Sequence, residues 1–347
     1  MPDTSVSSGL VDWTSAKGPL SGRGQRPPFA PQYRRPWHCI GVRLNGVRCI
    51  GWPLSVASAS PRLAPHHRPM PELPEVRALA ERLDAVVAGM VLVDVAVPGF
   101  SGLKTVAPSP SSLIGAPVEQ VRSRGKYLVL SFGDRGRALV HLGNSGRLDV
   151  ERPVKATRPR GSLVRFAFDE VGLLVREHGT ERRAGLWVLG TSDDGPLLAI
   201  GPEPFDEAFE VLVLHGSDGR QLHTMLRDQR TVAGIGRGYA DDLLQRAGLS
   251  PFASLSRLSP AARQRLLDAA RQVLDEALVR ERQRTGGLSA PSLGDRFSVH
   301  RRAGEPCPTC GRRLERVSFE SNDIVYCPTC QTKGKVLADR RLSRLLR

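Results

Sequence analysis

The chain has 347 residues, enough for two or three domains with a sizeable buried core, and it carries 50 Lys or Arg against 35 Asp or Glu, a formal net charge of +15. That balance favours a polyanionic partner, nucleic acid before a membrane surface, although free use of arginine by a GC-rich genome gives part of the same signal. No stretch approaches the roughly 18 apolar residues of a transmembrane helix, so no membrane partner is expected.

Residues 1–69 differ from the rest. They are rich in Pro, Gly, Ser and Arg, hold nine Lys or Arg against two Asp and no Glu, and show no sustained apolar period. They lack the apolar core of a secretory signal. The expectation is a start assigned upstream of Met70 or a disordered basic extension; a folded domain is the least consistent reading.

Met70 to Glu75 reads M-P-E-L-P-E. If Met70 is the initiator and is removed, Pro71 carries a free secondary amine. A terminal amine titrates near 8, against about 10.4 for a lysine side chain, so a useful fraction is neutral and nucleophilic near neutrality. Glu72 beside it can move protons. Leu73, Val76, Ala80, Leu83 and Val87 recur at steps of three and four and predict one helix with an apolar face. Glu72 and Glu75 fall in its first turn, where the helix dipole favours negative charge, and Gly89 is placed to end it.

Short β-like runs follow at 91–97, 127–132, 138–142, 163–168, 173–175 and 186–189, separated by Gly, Pro and Asp, the pattern of a sandwich or barrel. By position alone, Lys126 in R-G-K-Y and His141 in H-L-G-N-S-G read as a solvated charge and a structural histidine. From about Pro204 helices dominate: one over 221–228, then the Gly-rich turn A-G-I-G-R-G, then one over 239–247. Ser259-Pro260 caps a longer helix through Val279. A glycine turn between helices serves phosphate binding and tight packing equally well.

Cys307, Cys310, Cys327 and Cys330 form two C-P-T-C pairs separated by sixteen residues, the spacing of a tetrahedral four-thiolate zinc site. Four protein ligands fill the shell, so one structural zinc is expected, and the paired thiols indicate a reducing compartment. Cys39 and Cys49 make no motif.

Taken in order, M-P-E-L-P-E-V, R-G-K-Y-L-V-L, H-L-G-N-S-G, G-P-E-P-F, D-Q-R-T-V-A-G-I-G-R-G-Y-A-D-D and C-P-T-C…Y-C-P-T-C-Q resemble the motifs of the formamidopyrimidine-DNA glycosylase/endonuclease VIII family over nearly all of residues 70–347. The resemblance implies a multidomain α+β fold: an N-terminal helix and β-sandwich catalytic domain over 70–200, a helix–two-turn–helix DNA-binding domain over 201–298, and a zinc-ribbon domain over 299–347. It implies a bifunctional glycosylase and AP lyase of base-excision repair that removes oxidised bases from damaged DNA, duplex or single-stranded, through a Schiff base with the N-terminal proline, and nicks the strand by β-elimination. A cytoplasmic, nucleoid-associated monomer is expected.

By the same resemblance Pro71 attacks C1′ of the damaged nucleotide, Glu72 assists proton transfer at the deoxyribose, and Glu75 holds the helix and pocket. Lys126 reaches phosphate and aids proton transfer, His141 touches the DNA backbone, and Arg182 enters the gap left by the everted base. Four positions depart from the family pattern. Asn144 stands where a wedge methionine is usual, Ala184 for a wedge phenylalanine, Arg237 for a phosphate-binding asparagine, and Asn322 for the zinc-finger arginine. These changes put wedge insertion and δ-elimination in question. The alternatives are a non-catalytic damaged-DNA-binding protein on this scaffold, and a generic zinc-ribbon nucleic-acid binder that leaves M-P-E-L-P-E unexplained.

Overall fold

The computed structural model describes residues 70–157, 159–177, 183–284, 296–319 and 322–337. Helix α1 spans Leu73–Val87, with Pro74 in its first turn, where a missing N–H costs nothing. Gly89 follows it at φ +81° and donates its N–H to the Val118 carbonyl. The apolar stripe serves two different cores. Val76, Ala80, Leu83 and Val87 pack into the β-sandwich, whereas Leu73 is buried among the helices beyond it.

The sandwich has two antiparallel four-stranded sheets. One contains β2 (Gln120–Arg124), β3 (Tyr127–Ser131), β4 (Arg137–His141) and β8 (Gly185–Leu189) in that order. The other runs β1 (Asp94–Ala96), β6 (Ser162–Ala167), β7 (Gly172–Glu177), β5 (Gly146–Glu151). Leu128, Leu130, Val140 and Leu186 from the first sheet meet Leu148, Val164, Phe166 and Leu173 from the second. The apolar runs expected from the sequence correspond to β1, β3, β4, β6, β7 and β8. The strands β2 and β5 lie at sheet edges and carry too many polar residues to stand out.

Beyond the sandwich, α2 (Glu207–His215), α3 (Leu222–Arg227), α4 (Arg237–Arg246) and α5 (Pro260–Gln283) enclose a second core. Ser259 caps α5, its Oγ accepting from Ala262 N at 3.3 Å. The longest of these, α5, also holds α1 through Arg282 and Glu81, whose carboxylate accepts at 2.6 and 2.8 Å. Among the described residues no helix is long and apolar enough to cross a membrane.

The C-terminal module is a hairpin of β9 (Glu315–Phe319) and β10 (Asn322–Tyr326), followed by α6 (Pro328–Thr332). The thiol sulfurs of Cys307, Cys310, Cys327 and Cys330 all lie within 4.8 Å of one another. Cys307 and Cys330 are 3.9 Å apart, Cys310 and Cys327 3.5 Å. A tetrahedron with Zn–S bonds of about 2.3 Å has edges of about 3.8 Å, so the donor set and its spacing fit zinc.

Helix α4 fastens this module. Asp242 accepts the backbone N–H groups of Ser298, Val299 and His300 at 2.7–3.1 Å. Asp241 accepts from His300 Nδ1 at 2.7 Å and from Val325 N at 3.3 Å. Gln245 donates to Thr309 Oγ1 at 2.8 Å and to Cys307 Sγ at 3.3 Å. Removing zinc should therefore release the ribbon first. Structural zinc contributes about 10–16 kcal/mol of binding free energy to small modules. Treatment with a strong chelator is expected to abolish amide-exchange protection in β9 and β10 while β3 and β4 stay protected; unchanged protection in the ribbon would count against a metal-dependent fold.

Candidate active site

The start of α1 is held from the far side by the helical domain. The Glu72 carboxylate accepts from Gly236 N at 2.5 Å, Gly238 N at 3.1 Å and Tyr239 N at 3.4 Å. These are orphan donors at the N-terminus of α4, where the dipole favours an anion. The Leu73 N–H donates to the Gly234 carbonyl at 3.0 Å. This settles what the Gly-rich turn does here: its N–H groups receive a carboxylate from the chain itself. A Cβ on Gly236 would sit 2.4 Å from the Glu72 carboxyl carbon, and one on Gly238 2.1 Å from the Phe297 ring. Neither position tolerates a side chain without displacing its neighbour.

Lys126 is placed by a two-residue hairpin turn between β2 and β3. Gly125 takes the first turn position at φ +57°, a conformation that favours glycine. Its N–H donates to Glu203 Oε1 at 2.5 Å, and Arg124 lies 3.5 Å from the same oxygen. Glu203 belongs to G-P-E-P-F, whose Pro202 carbonyl accepts from Ala233 N and whose Gly201 N–H donates to the Gln229 carbonyl, both at 2.9 Å. The linker thus ties the lysine-bearing turn to the Gly-rich turn.

Glu75 lies one helical turn from Pro71 and is enclosed. Tyr239 Oη donates to its Oε1 at 2.6 Å, Glu72 N donates to Oε2 at 2.8 Å, and Arg296 Nη1 approaches Oε1 to 3.3 Å. Burial pushes its carboxyl up to about 7; Arg296 and Tyr239 oppose that shift without cancelling it. Near neutrality Glu75 exists in both protonation states. Lys126 is also buried, and desolvation lowers its pKa below the usual lysine range, with the Glu72 and Glu75 carboxylates pulling the other way. Arg296 Nη2 donates to the Met70 carbonyl at 3.2 Å.

A cavity of about 360 Å³ opens beside these groups. Met70, Lys126, Gly236 and Arg237 line it together with Arg220, Thr224, Arg227 and Asp228. The volume suits a small organic ligand or a nucleoside-sized group. Arg237 is the first residue of α4 and exposed; partial burial and the nearby guanidiniums of Arg227, Arg183 and Arg301 lower its pKa. Like charges crowded in this way favour an anionic ligand.

His141 ends β4. Its Nδ1 accepts from Gly143 N at 3.1 Å, which leaves Nε2 to carry the proton, and its ring lies 4.9 Å from that of Tyr127. Burial, aided by the Lys126 charge, lowers its pKa to about 4, so it is neutral at physiological pH. Asn144 is exposed at the tip of the tight turn closed by Gly146 N and the Leu142 carbonyl. Ala184 is buried in the sandwich core, its N–H donating to Glu177. Asn322 opens β10, opposite Phe319. Arg182 lies outside the described residues.

Lys126 and Arg237 line the cavity together with Met70, which precedes Pro71, and Gly236, whose N–H holds the Glu72 carboxylate; the charges of Glu72 and Glu75 reach Lys126, and that of Lys126 reaches His141. The metal ligands form a separate site below α4. Sequence reasoning missed Tyr239, Arg296 and Arg227. The tyrosine follows G-R-G directly, and its place on the inner face of α4 was a usable signal. Nothing near Arg296 in sequence marks it.

Three family models match the chain: the formamidopyrimidine-DNA glycosylase N-terminal domain over residues 70–186, the H2TH domain of the same enzymes over 200–287, and a zinc finger found in FPG and IleRS over 304–333. An uncharacterized formamidopyrimidine-DNA glycosylase-like protein of Mycobacterium tuberculosis is 44% identical over 154 residues, 43% of this chain and 95% of its own length. The formamidopyrimidine-DNA glycosylase of Xanthomonas euvesicatoria is 34% identical over 279 residues, 76% of this chain and all of the relative. That of Methylococcus capsulatus is 35% identical over 275 residues, with the same coverage. A solved structure of MutM in complex with DNA containing carbocyclic 8-oxo-G shares the fold, with TM-score 0.68 and 24% identity over 76% of this chain and all of that one. The fold, the zinc-finger thiols and these matches together lead to one conclusion: the chain belongs to the formamidopyrimidine-DNA glycosylase family of DNA-repair enzymes.

Proposed function

We propose that this protein is a bifunctional DNA glycosylase and AP lyase that uses Pro71, exposed as the N-terminal residue, as its nucleophile. The observation that carries the reading is the convergence of the M-P-E start, Lys126 and a cationic cavity on one point, held there by Glu72 and the α4 N-terminus. A base inside a duplex is out of reach, so the target nucleotide must leave the stack, at a cost of a few kcal/mol. Relatives of this chain carry the name formamidopyrimidine-DNA glycosylase, and the structural neighbour above holds a lesion-containing DNA, which supports damaged DNA as the substrate.

In this reading the Pro71 nitrogen lone pair bonds to C1′ as the C1′–base bond breaks, and the base departs with the bonding pair and takes up a proton. The nitrogen then loses its own proton, its lone pair forms the C1′=N bond as the C1′–O4′ bond breaks, and the ring oxygen keeps that bonding pair and takes up a proton, which leaves an iminium at C1′. The iminium acidifies C2′; a proton leaves there, the C3′–O bond breaks, and the 3′-phosphate departs with its electrons. Glu72 has roughly four acceptor sites on its two oxygens. Three backbone donors use them, which leaves capacity for one proton at the sugar. Lys126, with its lowered pKa, exchanges protons and meets phosphate; Arg237 and the neutral Nε2–H of His141 contact the backbone. Glu75 holds the start of α1.

A second reading, damaged-DNA binding without chemistry, draws on Asn144 and Ala184. The first is polar and exposed and the second buried in the sandwich, so neither offers an apolar wedge. On the catalytic reading the same residues point to a preference for single-stranded or already disturbed DNA.

Protein beginning at Pro71 should form a borohydride-trapped complex with abasic duplex and nick it. Pro71→Gly should lose most of the trapping; full trapping by that variant would exclude proline as the sole nucleophile. Protein that retains residues 1–70 should trap no DNA, because the Pro71 nitrogen is then an amide. Lys126→Met should slow single-turnover cleavage by about 10²–10⁴-fold, the usual loss for a proton-transfer group. Arg237→Ala should weaken binding and flatten the dependence of log K on log salt by about 0.9, one phosphate contact on duplex DNA. An unchanged slope places Arg237 away from phosphate.

A further inference from the structure

We propose that Arg296 is a positioning residue that suppresses protonation of the Pro71 nitrogen and so keeps the nucleophile reactive; the inference rests on the catalytic reading above. Its side chain is buried at 5% exposure, and Nη2 lies 3.2 Å from the Met70 carbonyl oxygen. That oxygen is about 2.2 Å from the Pro71 nitrogen across the peptide bond, which puts the guanidinium within roughly 5.5 Å of it. Nε has no hydrogen-bond partner among the described residues. Once Met70 is gone, Nη2 loses its acceptor too, and a permanent cation is left facing the terminal amine.

The charges around Pro71 differ in how far they are compensated. On α1, the Glu72 carboxylate is taken up by three N–H donors of α4, and Glu75 is bound by Tyr239 and Arg296. From the β2–β3 turn comes Lys126, from the end of α3 Arg227 with Asp228 next to it, and from α4 Arg237. Below about pH 7, where burial protonates Glu75, the Arg296 charge stands uncompensated. A protonated proline would then add one more positive charge to an enclosed cluster, and like charge disfavours the charged form of an amine.

The test is the pH profile of single-turnover trapping on abasic duplex, with protein beginning at Pro71. Arg296→Gln keeps a hydrogen-bonding side chain without charge. It should move the acidic limb upward by about one pH unit, cutting the rate at pH 6 about tenfold and leaving pH 9 nearly unchanged. Arg296→Lys should restore the parent profile. Glu75→Gln leaves the guanidinium uncompensated at every pH and should move the limb downward, whatever its effect on the plateau; it also serves if Arg296→Gln does not fold. A parallel loss of rate at all pH values in both Gln variants overturns the proposal and leaves Arg296 a purely structural partner of Glu75. Absence of trapping by the parent at any pH overturns the catalytic reading and this inference with it.

Discussion

The carboxylate of Glu72 lying on the N-terminus of α4 is the contact on which the rest of the arrangement depends. It joins the first residue before α1 to a turn more than 160 positions away, with donors at 2.5 and 3.1 Å. A carboxylate without these donors would be buried at considerable cost, since an unpaired charge in a protein interior is disfavoured by several kcal/mol. Glu72 is therefore committed to this place, and it fixes where the chain immediately upstream must run. The glycines of the turn follow from it: a side chain at Gly236 would occupy the space of the carboxyl group. The same helix α4 reaches the zinc module through Asp241, Asp242 and Gln245. One ten-residue element thus positions the candidate nucleophile at one end and the ribbon at the other.

Around that anchor the protein collects buried charge with incomplete compensation. Glu75 is pushed up to about 7 although a guanidinium lies 3.3 Å away, so desolvation outweighs the ion pair there. Lys126 moves in the opposite sense, below the usual lysine range, for the same reason. Burial shifts both groups towards their neutral forms, and a carboxyl and an amine whose charged forms are destabilised are suited to proton-coupled chemistry. The arginines at the cavity are less enclosed and keep their charge, which suits them to hold a polyanion. The division is between a buried, titrating interior and a permanently cationic mouth.

Much of this was legible in the sequence because it rests on short-range pattern. The three-and-four spacing of Leu73 to Val87 gave α1, the apolar runs gave the central strands, Ser259-Pro260 gave the start of α5, and the paired C-P-T-C gave the metal ligands. What escaped depends on tertiary neighbours. The edge strand β2 buries a single side chain, and β5 alternates Leu148 and Val150 with charged residues over too short a run to stand out. The short amphipathic α2 was not separated from the linker before it. Periodicity could not reveal that Leu73 enters a different core from Val76 three residues later. Arg296 is 226 positions from the carbonyl it holds, and one arginine among many carries no local mark. The motif G-I-G-R-G was ambiguous between packing and anion binding; both operate, and the anion is an internal carboxylate.

The central claim is that the chain's chemistry begins at the Pro71 nitrogen, and the site of the covalent bond tests it most directly. Tandem mass spectrometry of the borohydride-reduced complex formed by the native protein on abasic DNA locates that bond. The account predicts the sugar remnant on a peptide whose first residue is Pro71. A remnant on Lys126, or on a peptide that still carries Met70, would contradict it.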